Sequence, residues 1–230
     1  MPRESPPTTN RPARPGSIPE RGEVWLPVGP THTLLTAHLV RIDAVRPMVP
    51  PPLRIVPVFP GYTLGATLLS YYGPESTLEY HELVVAGALV RAGRRVAPFV
   101  TQIYVDSADS VTGGRRMGLP KELATFAWRG TAPDEAHITR ADGVPIARIA
   151  YGRARVGLEV TLGGPTITMI DGAPWRFRST MRGHFGLCAA AVETDASSPL
   201  APLALGRAPV AVLSGAMRGA MGLDLAPIGA

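Results

Sequence analysis

Residues 114–124 read GRRMGLPKELA, and this stretch contains the only lysine of the chain, Lys121. The chain has 23 lysine and arginine residues in total, and all of them except Lys121 are arginines. An arginine supplies a positive charge, but only a lysine can lose its proton near neutral pH and attack a carbonyl group as an amine. Lys121 is therefore a candidate for amine chemistry. The alternative is a surface lysine with no chemical role.

The residues on either side of this stretch predict a helix followed by a strand. Asp106 is placed to cap a short helix that ends near Arg116, and a strand is predicted from Met117 to Trp128. Side chains alternate along a strand, so Lys121 and Glu122 point to opposite faces. If Lys121 points into a barrel interior, burial lowers the pKa of its amine and leaves more of it uncharged.

The turn-forming residues of the whole chain are distributed as in a mainly β protein. It contains 25 Gly and 25 Pro among 230 residues, without a repeat period. Roughly ten short strands and few helices follow from the alternating segments between these turns, which favours an antiparallel β-barrel or sandwich. Residues 1–22 are rich in Pro and Arg and predict a disordered tail, and residues 23–230 predict a single domain.

Composition excludes several classes of function. The net charge of +5 is spread without a basic block, so nucleic-acid binding is not expected. No apolar run is long enough to cross a membrane, and the N-terminus has no signal-peptide core, so a cytoplasmic protein is expected. The single cysteine, Cys188, excludes an internal disulfide, and the five histidines lack metal-ligand spacing. No nucleotide-binding loop is present, so no metal or cofactor is expected.

The stretch 114–124 resembles the signature of the acetoacetate decarboxylase family, in which a Gly-Arg pair precedes Pro-Lys-Lys-Leu. Residues 99–106 are similar to the aromatic strand of the family that ends in Asp, and Tyr80-His81-Glu82 is similar to its Tyr-x-Glu. Residues 43–53 resemble its N-terminal helical turn, and residues 199–212 resemble a late segment more weakly. The resemblance implies a closed antiparallel β-barrel with a few short helices.

The same resemblance implies roles for individual side chains. Lys121 is the lysine that forms a Schiff base, a covalent imine with the carbonyl carbon of the substrate. Glu82 is a candidate proton shuttle, and the alternative is a residue on the solvent face of an edge strand. The remaining candidates are Tyr80 and Tyr104 for lining the cavity, and Arg115 and Arg116 for pairing with the carboxylate of the substrate. The alternatives are packing in the core or at the rim for the tyrosines, and surface or interface positions for the arginines.

Three positions depart from the family pattern. Glu122 stands where the decarboxylases have a second lysine, Thr31 where they have a carboxylate-binding arginine, and Thr67 where they have a second acid. This pattern resembles the divergent branch of the superfamily, whose members keep the Schiff-base lysine but catalyse aldol condensation, dehydration or cyclisation of keto acids. The cation that tunes the amine is thus missing from the position after Lys121, and Arg115 or Arg116 is a candidate replacement.

The sequence therefore predicts a Schiff-base lyase that acts on a small keto acid by decarboxylation or by aldol condensation and dehydration. The partners expected are the keto acid and further copies of the chain in a homo-oligomer. The competing hypothesis is a non-catalytic protein that binds a small molecule in the same barrel. Formation of a covalent adduct with a carbonyl compound distinguishes the two.

Overall fold

The computed structural model describes residues 10–29, 32–129 and 134–229. In chain order the strands are β1 (Arg11–Pro12), β2 (Glu23–Val24), β3 (His32–Arg41), β4 (Arg54–Ile55), β5 (Tyr62–Tyr72), β6 (Tyr80–Ala92), β7 (Arg95–Val105), β8 (Lys121–Arg129), β9 (Glu135–Arg140), β10 (Pro145–Tyr151), β11 (Leu158–Ile170), β12 (Ala173–Leu187), β13 (Ala190–Glu193), β14 (Gly206–Arg207), β15 (Val210–Ser214) and β16 (Met217–Pro227). The α-helices are α1 (Ile42–Val45) and α2 (Ala108–Arg116), and two 3-10 turns span Arg46–Met48 and Ala201–Leu203. No α-helix in the described ranges has the length and apolar character needed to cross a membrane.

Seven strands close a barrel in the order β7, β11, β12, β15, β3, β5 and β6, because β6 pairs again with β7. The prediction of a closed, mainly β barrel with few short helices is confirmed. The prediction that the barrel is antiparallel is wrong, since β11 runs parallel to β7 at Ile167 and Phe99. The reason is the intervening chain: after β7 it leaves the barrel, forms other strands, and re-enters in the direction of β7.

A second sheet continues from the barrel. The first residues of β8 pair in parallel with β7, and the rest of β8 pairs with β9, followed by β10, β13 and β14. Helix α2 makes the connection between β7 and β8, as parallel neighbours require a crossover of this kind. The larger hydrophobic core lies between the outer face of the barrel and this sheet, with Leu69 and Leu83 on one side and Ile138 and Ile149 on the other.

The elements near the lysine are close to those that the sequence predicts. The helix begins one residue later than expected, because Ser107 is the N-cap and its hydroxyl accepts the backbone N–H of Ser110. The strand predicted from Met117 begins at Lys121, and residues 117–120 form the turn between α2 and β8. Farther along, the Gly-Gly-Pro at 163–165 does not interrupt β11, because these residues continue the pairing with β12.

Residues 10–22, which belong to the segment predicted as a disordered tail, lie against the barrel. Strand β1 pairs with β2, Ala13 and Pro19 are buried, and Arg11 forms an ion pair with Glu23. The backbone N–H of Gly16 donates to the carbonyl of Thr77 at 2.8 Å. These contacts extend the packed chain beyond the predicted boundary at residue 23. Residues 1–9 lie outside the described residues.

The turn before β8 depends on a glycine. Gly118 has a φ of +73°, and a Cβ placed on it would lie 2.2 Å from the carbonyl oxygen of Met169. Gly143, in the hairpin between β9 and β10, has a φ of +89°, but a Cβ there would meet nothing within 4 Å. The two glycines thus share a left-handed backbone and differ in the space around them.

We expect Gly118→Ala to destabilise the protein more than Gly143→Ala. The left-handed conformation costs either alanine about 1–2 kcal/mol, and the collision with the Met169 carbonyl adds about 1–3 kcal/mol at residue 118 only. Urea unfolding of both variants measures the difference. Equal unfolding free energies would show that the turn can move away from Met169.

Candidate active site

Lys121 lies at the junction of α2 and the barrel. It is the first residue of β8, and its alkyl stem packs against Gly114 in the last turns of α2. A Cβ on Gly114 would lie 2.5 Å from Lys121 Cδ, so the helix makes room for the stem by having no side chain there. The lysine is 1% exposed. Its alternation with Glu122, which is exposed, agrees with the strand geometry expected from the sequence.

The amine of Lys121 is held by three polar side chains. Nζ lies 2.7 Å from Glu82 Oε1, donates to Ser110 Oγ at 2.8 Å, and donates to Tyr80 Oη at 3.3 Å. It also lies 4.6 Å from the ring centroid of Trp25, a distance at which a cation is attracted to the ring face. The structure therefore places the predicted lysine, glutamate and one predicted tyrosine, Tyr80, in direct contact.

Glu82 lies in the middle of the barrel wall. It is 1% exposed and belongs to β6, which has a neighbouring strand on each side. In the strand pairing Glu82 lies opposite Ser70 of β5 and Val105 of β7. The alternative that Glu82 sits on the solvent face of an edge strand is therefore wrong. Its second oxygen, Oε2, accepts a hydrogen bond from Tyr72 Oη at 2.9 Å. Burial, and then the nearby Glu82 carboxylate, raise the pKa of Tyr72 and Tyr80 well above the usual value, so both phenols stay protonated.

Burial lowers the pKa of the Lys121 amine from its usual 10.5, and Glu82 opposes this by favouring the ammonium form. The sequence left open which cation replaces the missing second lysine. The structure indicates that removal from water, instead of a second cation, shifts the amine toward its neutral form. Glu122, at the position of that second lysine, points away to the surface beside Tyr104.

The barrel interior next to these groups contains a cavity of about 480 Å³. Glu82, Tyr72, Tyr80 and Trp25 form its polar end. The rest of the wall is mostly apolar and includes Leu35, Leu68, Val84, Phe177, Met181 and Met221. Lys121 does not line the cavity, because its amine lies behind Glu82, Tyr80 and Trp25. A carbonyl compound in the cavity is therefore one side-chain layer away from Nζ.

Three of the predicted site residues lie elsewhere. Tyr104 is buried in the core between the barrel and the second sheet, where burial, with Glu122 nearby, raises its pKa to about 12. Arg115 is exposed, and its guanidinium lies 3.5 Å from the backbone carbonyl of Lys121. Arg116 donates to Glu20 at 2.9 Å and to the carbonyl of Pro19. None of the three lines the cavity, so we assign none of them to the substrate.

The positions that depart from the family pattern are placed as follows. Thr67 is buried outside the cavity and shares a hydrogen bond of 2.6 Å with Thr36, which also contacts His38. His81 pairs with Asp106 at 2.7 Å and packs against aromatic rings outside the cavity. Both histidines thus have structural contacts. Thr31 lies outside the described residues.

Sequence reasoning missed Tyr72, Ser110 and Trp25. Tyr72 lies opposite Tyr80 in the pairing of β5 with β6, and a correct hairpin register would have revealed it. Ser110 and Gly114 are four residues apart on α2, so the helical period places both on the side that faces Lys121. Trp25 comes from a distant part of the chain, and no local pattern identifies it.

A sequence model of the acetoacetate decarboxylase family matches residues 5–166. This chain belongs to the acetoacetate decarboxylase family. The resemblance drawn from residues 114–124 is thereby confirmed. Comparison with curated proteins finds no match.

Solved structures with the same fold include members with different activities. An acetoacetate decarboxylase is 16% identical, with a TM-score of 0.63 over 89% of this chain and 88% of the other. The acetoacetate decarboxylase of Legionella pneumophila is 16% identical, with a TM-score of 0.60 over 89% of each chain. MppR, an enduracididine biosynthesis enzyme solved with pyruvate, is 13% identical, with a TM-score of 0.56 over 90% of each chain. At these identities the likeness establishes the fold.

We expect the Lys121–Glu82 pair to behave as a coupled buried unit in stability measurements. Lys121→Met or Glu82→Gln alone leaves one group without its partner, and each should cost about 3–5 kcal/mol. The double variant should cost less than the sum of the two single variants. Urea unfolding of the four proteins gives the coupling.

A surface pair provides the control. Arg182 and Glu159 lie 2.6 Å apart and are exposed, so Glu159→Gln should cost less than about 1 kcal/mol. Additive effects for Lys121 and Glu82 would contradict their coupling.

Proposed function

We propose that this chain is a lyase in which Lys121 forms an iminium with the carbonyl group of a keto acid. The observation that carries the proposal is a fully buried amine, 2.7 Å from a buried carboxylate, behind the polar end of the barrel cavity. Membership of the acetoacetate decarboxylase family supports it, and so does the binding of pyruvate by MppR, which shares the fold.

The contacts around Nζ suit the first steps of this reaction. When the proton that the pair shares resides on Glu82, Lys121 is neutral, and its lone pair attacks the carbonyl carbon while the carbonyl oxygen takes that proton from Glu82. The nitrogen then loses a proton to Glu82, which gives a neutral carbinolamine. The hydroxyl of the carbinolamine then leaves as water with a further proton, and a C=N⁺ bond remains. Glu82 contacts the amine, so it can receive the proton that the nitrogen loses and return it to the departing oxygen.

The iminium then accepts an electron pair from the neighbouring carbon. In decarboxylation that pair comes from the C–C bond to the carboxylate, which leaves as CO2. In aldol chemistry it comes from a C–H bond whose proton passes to Glu82, and the resulting enamine attacks an aldehyde. Lys121 and Glu82 serve both branches in the same way, so the proposal comprises both.

Tyr72 and Tyr80 position the reacting pair in this proposal. Tyr72 donates to one oxygen of Glu82 and leaves the other facing Nζ, while Tyr80 accepts from Nζ. For a substrate carbonyl to reach the amine, Glu82, Tyr80 or Trp25 must shift, since these three side chains separate Nζ from the cavity.

One observation favours the competing proposal of a non-catalytic binding protein. Lys121 is enclosed, and its amine does not line the cavity. In that case the lysine would only neutralise Glu82, and the cavity would bind a ligand without forming a covalent bond to it. Covalent trapping separates the two proposals.

We expect a reductively trapped adduct on Lys121 when the protein is incubated with pyruvate or acetoacetate and cyanoborohydride. Because the chain has one lysine, the N-terminal amine is the only other amine that can be labelled, and it acts as an internal control. Lys121→Arg should lose the adduct because a guanidinium stays protonated. Intact-mass and peptide mass spectrometry measure both sites.

Lys121→Met serves as a second variant in case the larger arginine disturbs the fold, which circular dichroism will show. Folded wild-type protein with no Lys121 adduct across a panel of keto acids, from pyruvate to members with long apolar chains, would refute the proposed function and support the binding protein.

We expect the trapping rate to rise with pH and then to level off, because only the neutral amine attacks. The midpoint of this rise should lie below pH 10.5, because burial lowers the pKa of Lys121. Glu82→Gln should move the midpoint to lower pH, since it removes the carboxylate that favours the ammonium form. The control is Glu79→Gln, three residues away on the surface, which should leave the midpoint in place.

The same Glu82→Gln variant tests the role of Glu82 as a proton carrier. An amide keeps the shape of the side chain but cannot carry a proton, so turnover of any keto acid that reacts should fall by roughly a hundredfold or more. Trapping should continue at a pH where the amine is neutral. Full turnover in Glu82→Gln would remove Glu82 from the mechanism.

A further inference from the structure

The barrel interior is larger and more apolar than a small keto acid requires. Resting on the proposed function, we infer that the carbonyl substrate carries an apolar alkyl or aryl group. This group extends from the Lys121–Glu82 pair along the barrel interior. The reactive carbonyl of the substrate lies at the polar end of the cavity, and its apolar group lies against the remaining wall. Pyruvate and acetoacetate would then be poor substrates because they leave most of that wall in contact with water.

The size of the cavity supports this inference. Its volume of about 480 Å³ lies in the range of about 300–1,000 Å³ that is typical of sites for drug-sized ligands. Acids as small as pyruvate would occupy only its polar end.

The lining offers the carboxylate of a keto acid no cationic partner among the described residues, so binding must come mainly from the apolar group. Among the described residues that line the cavity, Glu82 is the only charged one, and no arginine, lysine or histidine is among them. Most of the wall beyond Glu82 is aliphatic, aromatic or thioether, and the other polar side chains there are uncharged hydroxyls, namely Ser76, Thr77, Thr166, Ser179 and Thr180. The three methionines of that wall, Met181, Met217 and Met221, can adapt to ligands of different shape because their side chains are flexible.

An apolar track leads from the cavity to the solvent. Leu35 of β3 lies opposite Leu68 of β5 on the cavity wall. Four residues away on each strand, Leu39 lies opposite Leu64. Residues at every second position share one face of a strand, so the second pair continues the face of the first. Leu39 is 52% exposed and Leu64 is 42% exposed, which places them at the end of the track that solvent reaches.

The length of the track matches an extended substituent. Ser70 pairs with Glu82 across the strands, and Leu64 lies six positions before Ser70 on β5. At about 3.4 Å per residue the distance from the level of Glu82 to Leu64 is about 20 Å. A straight apolar chain attached to the carbonyl can therefore lie against β3 and β5 along the cavity with its far end near the leucines.

The test is reductive trapping of methyl ketones of increasing length: acetone, methyl propyl ketone and methyl heptyl ketone. Each methylene buried in the cavity should lower the concentration for half-maximal Lys121 labelling by about fourfold, from about 0.8 kcal/mol per methylene, until the chain fills the track. Equal labelling by the three ketones, or stronger labelling by acetone, would overturn the inference and leave the iminium chemistry standing.

A cavity-filling variant tests the location. Ala66 lines the cavity in the middle of β5, so Ala66→Trp should remove most of the advantage of methyl heptyl ketone over methyl propyl ketone. The control, Ala127→Trp, adds the same side chain at an exposed position of β8 and should keep the advantage. An unchanged preference in folded Ala66→Trp would show that the chain binds elsewhere.

Binding without covalent chemistry separates this inference from the proposed function. In Lys121→Met, which cannot form an iminium, methyl heptyl ketone should raise the midpoint of thermal unfolding more than acetone does at equal concentration. If wild-type protein traps no ketone but this dependence on length persists, the proposed function fails and the apolar ligand class stands. If the variant shows no dependence on length, the inference fails whatever the result of trapping.

Discussion

The ion pair between Lys121 and Glu82 is the interaction on which the rest of the site depends. Two opposite charges removed from water are costly unless they lie close together and their remaining hydrogen-bonding positions are filled. Ser110, Tyr80 and Tyr72 fill these positions. The result is an amine whose pKa is lowered by burial and whose proton has an acceptor within 2.7 Å.

The pair is assembled across the junction between the barrel and the second sheet. Glu82 comes from β6 in the middle of the barrel wall, and Lys121 comes from β8, which continues into the second sheet after its first residues. The parallel pairing of β7 and β8 requires a crossover, and α2 supplies both that crossover and the partner Ser110. Gly114 and Gly118 allow the helix and the turn to approach Lys121 and Met169 without side chains.

The enclosure of the lysine and the apolar cavity have opposite consequences for substrates. Enclosure removes water from the amine and lowers its pKa, but it also places Glu82, Tyr80 and Trp25 between the amine and any ligand. A ligand that gains free energy from apolar burial can offset the cost of moving one of these side chains. A small polar acid gains little from the same wall, so access to the amine and the proposed preference for apolar ligands have a common physical origin.

The sequence by itself determined the family and the mainly β barrel, and it singled out Lys121 as the candidate amine, because a lone lysine and the signature at residues 114–124 are local features. Strand alternation also predicted that Lys121 and Glu122 face opposite sides. Only the tertiary structure decided that Glu82 contacts the amine, that Tyr104, Arg115 and Arg116 lie away from the cavity, and that β11 runs parallel to β7. Contacts between strands far apart in the chain depend on register and barrel closure, and no short stretch of sequence specifies these.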